Sequence, residues 1–75
     1  MRNDPIDVSA PNGRPRLIRW GRRTYRVREL LDVWIYQSRW WSREERRIYF
    51  RLWTNRGVME ICRNGTKWML SRILD

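Results

Sequence analysis

The sequence predicts an all-β fold: a small antiparallel five- or six-stranded meander, curled into a partly closed barrel, with a flexible N-terminal arm. Three observations lead there. Apolar and polar residues alternate from Arg47 to Trp53 and again from Val58 to Arg63, the period of a half-buried strand. Asn64-Gly65, between two such runs, is a strong two-residue hairpin signal. The 75 residues include six Trp, three Tyr and one Phe. Large rings offset the small core available to a short chain, each removing roughly 150–250 Å² from water when buried. A sheet of this size protects its edges best by curling on itself.

Residues 1–13 hold Asp4, Pro5, Asp7, Pro11, Asn12 and Gly13, with Ile6 and Val8 as the only sizeable apolar side chains after Met1. No period emerges, and the Pro, Gly and Asn punctuation reads as a flexible arm. Residues 14–75 then form a single small β domain. Arg14–Arg28 carries seven arginines and no acid. Within it, 17–20 and 25–28 have strand character around Gly21-Arg22-Arg23-Thr24, so a hairpin is expected. Pairing Trp20 with Tyr25 sets Ile18 opposite Val27 on one face and Arg19 opposite Arg26 on the other. Like charges directly opposite repel, so these arginines either fan into water or hold an anion between them.

Leu30–Ser38 fits two readings. Leu30, Leu31, Trp34 and Ile35 have helical spacing, whereas Leu31, Val33 and Ile35 have strand spacing. The Val, Trp, Ile and Tyr content favours an extended strand with a bulge near Glu29-Leu30; a short helical turn is the alternative. Trp40 and Trp41 point to opposite faces of any strand, so one of the two rings is expected in the core. Ser42–Arg46 reads as a polar loop in which Glu44 and Glu45 are solvated ion-pair partners of neighbouring arginines.

The last third is the clearest. Strands over 47–53, 58–63 and 66–74 are joined by turns at Thr54–Gly57 and Asn64-Gly65. Setting Trp53 opposite Val58 and Arg63 opposite Thr66 collects Ile48, Phe50, Leu52, Met59, Ile61, Trp68 and Leu70 on one face. The other face takes the rows Tyr49–Cys62–Lys67, Arg51–Glu60–Met69 and Trp53–Val58–Ser71. A slip by one residue would scatter the apolar set across both faces.

Seventeen basic residues, sixteen of them Arg, stand against eight acids, giving a net charge of +9. Such a field favours polyanions or acidic partners. Cys62 is the single cysteine and the chain contains no His, so neither an intramolecular disulfide nor a metal site is expected. No Gly-rich phosphate loop and no nucleophile with a visible base occurs, which argues against an enzyme and against any cofactor. No apolar run reaches the length of a membrane span and no signal-peptide pattern follows Met1, so a cytoplasmic protein is expected.

Gly21-Arg-Arg-x-Tyr25-Arg-Val27-Arg-Glu29-x-Leu31-Asp32, Trp40-Trp41, Arg47-x-Tyr49, Gly57 and Trp68-x-Leu70-x-Arg72 form a recognisable set of motifs. From about Pro15 onward the chain resembles a Trp- and Arg-rich bacterial family of unknown function. Similar segments occur at the C-terminus of polymerase-like accessory proteins of mutagenic DNA repair. The resemblance implies an association with DNA repair; it departs from the family pattern at Leu74, where an aromatic residue is usual.

Two functions follow. One is a non-enzymatic nucleic-acid-binding module for single-stranded or double-stranded DNA, or RNA. Its candidate residues are Tyr49, Arg51, Trp53 and Lys67 on the outer face, with Arg19, Arg22, Arg23 and Arg26 extending the positive track. The other is a protein-interaction or homodimerisation module that uses the same aromatic and Arg-rich face, with an acidic protein as one partner class. Both require Tyr49 and Trp53 to be exposed.

Overall fold

A computed structural model describes the backbone of residues 4–40 and 43–74, with the side chains of those residues outside 38–45. Seven strands run in chain order: β1 (Asp4–Pro5), β2 (Asp7–Ser9), β3 (Leu17–Trp20), β4 (Arg23–Trp40), β5 (Arg43–Thr54), β6 (Gly57–Asn64) and β7 (Lys67–Leu74), with a 3₁₀ turn at Pro11–Gly13. They form one antiparallel sheet in the order β1-β7-β6-β5-β4-β3-β2. The two outermost strands are consecutive in the chain. The sheet therefore nearly closes into a barrel, with the N-terminal segment as its clasp.

That clasp corrects the expectation of a flexible arm for residues 4–9, residues 1–3 lying outside the described residues, and it raises the strand count from five or six to seven. Asp4 and Pro5 pair with Leu70 and Met69, while Asp7, Val8 and Ser9 pair with Arg19, Ile18 and Leu17. Ile6 bridges the two edges: its N–H donates to the Trp68 carbonyl at 3.2 Å and its side chain is buried in the core. A two- or three-residue strand has no readable period. Its hydrogen bonds come from edges that would otherwise be unpaired.

The core lies inside the barrel. Ile6, Ile18, Tyr25, Phe50, Leu52, Met59, Ile61 and Leu70 are buried together, with Val8, Trp20, Val27, Leu30, Ile48 and Trp68 packed against them. Phe50 and Trp68 meet with ring centroids 5.5 Å apart. All seven core-face residues expected from the β5–β7 alternation are in this set. Trp53 faces Val58 and Arg51 faces Glu60, as the alternation requires.

Two registers differ from expectation by two residues, for one reason. The pairs at the turns are Trp20–Arg23 and Asn64–Lys67, so the loops are Gly21-Arg22 and Gly65-Thr66. Gly21 has φ +61° and Gly65 φ +63°, while Arg22, Asn64 and Thr66 are not in the positive-φ region. Positive φ at the first loop position alone is the requirement of a type II′ turn, which glycine meets without steric cost. A type I′ turn over Asn64-Gly65 would need positive φ at both residues. In β3–β4, and in β6–β7 as far as Ile61–Leu70, the shift is two and no residue changes face. A bulge that skips Ser71 then makes it three, so Arg72 and Leu74, and not Met69 and Ser71, lie opposite Glu60 and Val58 on the outer face. Arg19 now faces Thr24 instead of Arg26, which removes the direct like-charge pair.

β4 is strand throughout, which excludes the helical turn over 30–38. Its first part pairs with β3 and the rest with β5, with register breaks that skip Arg28 and Leu31. Extra residues of this kind bend a strand and increase its twist, and here they carry β4 from one wall of the barrel to another. The bend is pinned from outside: the Arg26 N–H donates to Asn55 Oδ1 at 2.8 Å, and the Asn55 N–H donates to the Arg26 carbonyl at 3.0 Å.

Beyond the bend, Tyr36–Trp40 pairs with Arg43–Arg47 as a ribbon extending the barrel, and the molecule measures 40 × 24 × 22 Å. Arg43–Arg46 is therefore strand and not loop. A ribbon outside the core needs no apolar alternation, so its polar run reads as loop. The side chains of 38–45 and the whole of Trp41 and Ser42 lie outside the described residues. So do the expected core ring at Trp40 or Trp41 and the ion pairs of Glu44 and Glu45.

Candidate nucleic-acid interface

The outer face of β4–β7 is organised in rows across the strands. Trp34, Tyr49, Cys62 and Met69 are successive register partners in one row. Asp32, Arg51, Glu60 and Arg72 form the next, alternating in sign. Glu29, Trp53, Val58 and Leu74 form a third. On the opposite side of the aromatic row lie the pairs Tyr36–Arg47 and Asn64–Lys67.

Trp34 and Tyr49 are stacked, with centroids 5.4 Å apart and planes 4° from parallel. The guanidinium of Arg51 sits 5.6 Å from the Trp34 ring centroid, a cation–π contact. Its Nε donates to Glu60 Oε2 at 2.7 Å. The Glu60 side chain is 4% exposed and that of Arg51 is 42% exposed. The ion pair is thus half-buried, with Arg51 shielding the carboxylate and bracing the Trp34 ring. Cys62 is buried in the row between Tyr49 and Met69. An open concavity of about 460 Å³ lies over this face, lined by Trp34, Tyr36, Arg47, Tyr49, Glu60, Ser71 and Arg72.

The structure brings four of the expected residues onto this face. Tyr49 is half-buried, Trp53 is 46% exposed, Arg51 is committed to Glu60, and Lys67 is exposed one row further from Cys62 than expected. Arg19 and Arg26 are exposed on the outside of the β3–β4 hairpin, diagonal to one another. Arg22 is in the turn. Arg23 faces Trp20 and shares its side of the sheet, at the barrel mouth. The positive track is not continuous with the aromatic rows, because Glu29 and Asp32 lie on β4 between them.

Trp34, Tyr36, Arg47 and Arg72 are members of the site that sequence reasoning missed. For Trp34, Tyr36 and Arg47 the signal was alternation: 32, 34 and 36 fall on one side once the bulge ends at Leu31, and Arg47 alternates with Ile48. Arg72 reaches this face only through the bulge that skips Ser71. The bulge at Leu31 made its stretch of β4 ambiguous between strand and helix.

No family model matches the chain, and no curated protein or solved structure is significantly similar to it. The fold and the site therefore stand on their own geometry. Among the described residues no group of His, Cys, Asp or Glu side chains is arranged to hold a metal ion. No helix among them is long and apolar enough to cross a membrane.

Proposed function

We propose that this chain is a non-enzymatic module that binds single-stranded nucleic acid across the outer face of β4–β7. The observation that carries the reading is the stacked Trp34–Tyr49 pair set beside Arg47 and Arg72 in an open concavity, with the exposed Tyr36 ring one row away on one side and the exposed Trp53 ring two rows away on the other. Base stacking on exposed rings is worth about 1–3 kcal/mol per base and tolerates any sequence. The net charge of +9 attracts the backbone. The internal Arg51–Glu60 pair commits Arg51, so Lys67 and Arg72 form the phosphate-binding set in its place. DNA repair, implied by the family resemblance, is the proposed setting.

Fluorescence anisotropy of a labelled single-stranded oligonucleotide tests this. Affinity should fall steeply as salt rises, because each neutralised phosphate releases counterions. Trp34→Ala should weaken binding by about ten-fold or more, the loss of one stacked base. Arg22→Ala, in the distant turn, should do less. Binding that ignores salt, or none at low salt, refutes the proposal.

A protein-interaction reading has one specific observation in its favour. Leu31, Val33 and Ile35, all exposed, cluster on β4.

A further inference from the structure

Four of the six exposed large apolar side chains among the described residues lie in one short piece of β4: Leu31, Val33, Ile35 and Tyr36. The same piece has an open edge. β4 pairs with β3 only over Arg23–Arg26, and among the described residues no strand pairs on that side beyond this point. The Val33 N–H is not engaged by a neighbouring strand but donates to Asp32 Oδ1 at 2.9 Å. By alternation, Val33 and Ile35 therefore aim their backbone N–H and C=O groups outward. Unpaired groups of this kind on an apolar strand are a template for strand addition.

We propose that Leu31–Gln37 is a dimerisation edge, pairing antiparallel with the same strand of a second copy. Three features select a copy of this chain over another occupant. First, Glu29–Gln37 holds two acids and no base in a chain of net charge +9, so two copies can meet here without opposing arginines. Second, a two-fold through Trp34 sets Val33 of each copy against Ile35 of the other and Leu31 against Gln37. This pairs odd residues with odd, as the outward N–H and C=O groups require. It also sets Glu29 at the register position of Arg39 in the other copy, an opposite-charge match that an acidic peptide lacks. Third, an isologous pair uses this apolar edge in both copies and so closes, leaving none of it to propagate. Asp32, now capping Val33, swings aside when the strands pair.

A single strand pair lies at the small end of interface sizes, so association belongs in the weak, micromolar class. Salt strengthens it by screening the repulsion of two +9 chains. Nucleic-acid binding has the opposite salt response, so failure of one reading is distinguishable from failure of the other.

The test is sedimentation velocity of the full chain across the micromolar range, at low and high salt. The expected result is a shift from 9.5 kDa to twice that mass with rising concentration, more complete at high salt. Ile35→Lys should stay monomeric throughout with an unchanged circular dichroism spectrum. Ile35→Pro should do the same, since its lost N–H faces the open edge and not β5. Amide exchange on the unmutated protein is the second measurement: the Ile35 amide should gain protection as concentration rises. A protein that stays monomeric, Lys and Pro variants that still dimerise, open-ended assemblies, or an Ile35 amide indifferent to concentration each overturn the proposal.

Discussion

Ile6→Ala tests whether the barrel is clasped by its own N-terminal segment. Ile6 is 9% exposed, belongs to the central cluster and joins the strands on β7 and on β3. Truncation removes about three methylene-sized groups at about 0.8 kcal/mol each. A residual cavity raises the cost into the range of about 2–4 kcal/mol. A domain of 75 residues has a total stability of roughly 4–11 kcal/mol. One methyl-for-sec-butyl exchange in a supposed arm therefore removes a large share of the whole. The melting temperature should fall by roughly 8–32 °C, at about 4–8 °C per kcal/mol for a domain of this size. Guanidinium unfolding followed by Trp fluorescence gives the free energy, and calorimetry gives the melting point. Ile73→Ala is the matched control: the side chain is 44% exposed, so its loss should matter by about 0.5 kcal/mol or less. If Ile6→Ala and Ile73→Ala are indistinguishable, the clasp is wrong and 1–13 is a free arm. Removing residues 1–9 should be harsher still, because it leaves the edges of β3 and β7 both unpaired.

Two further outcomes follow from the outer face. Arg51→Ala leaves the buried Glu60 carboxylate without its partner and should cost about 2 kcal/mol, below the value for a fully buried pair because Arg51 is partly solvated. Adding Glu60→Ala to Arg51→Ala should recover part of that loss, and a double-mutant cycle by urea unfolding measures the coupling. Cys62 is buried under Tyr49 and Met69, so a thiol reagent should modify it only as fast as the sheet opens. Immediate reaction in native buffer would contradict that packing.

Much of the fold is legible in the residues because the strand period is two. Phe50, Leu52, Met59, Ile61 and Leu70 are core in the structure as they are in the alternation. They remain so although the β6–β7 register differs by two residues as far as Ile61–Leu70 and by three beyond it. Tyr49, Arg51 and Trp53 face outward for the same reason. The site was half legible. Trp34 and Tyr36 belong to a strand whose phase is reset by the skipped residues Arg28 and Leu31, and no local pattern marks where a bulge ends.

The sequence by itself determined which side of each strand is core, where most turns fall and how positive the surface is. These depend on neighbours in the chain, on glycine's access to positive φ, and on composition. Only the tertiary structure decided that Asp4–Ser9 closes the sheet, that Arg51 is neutralised by Glu60 and not offered to a ligand, and that Trp34 stacks on Tyr49. Each of these joins residues far apart in the chain, or depends on which lone pairs and rings a neighbouring strand brings within reach. Alternation says which way a side chain points; the opposing strand decides what it meets.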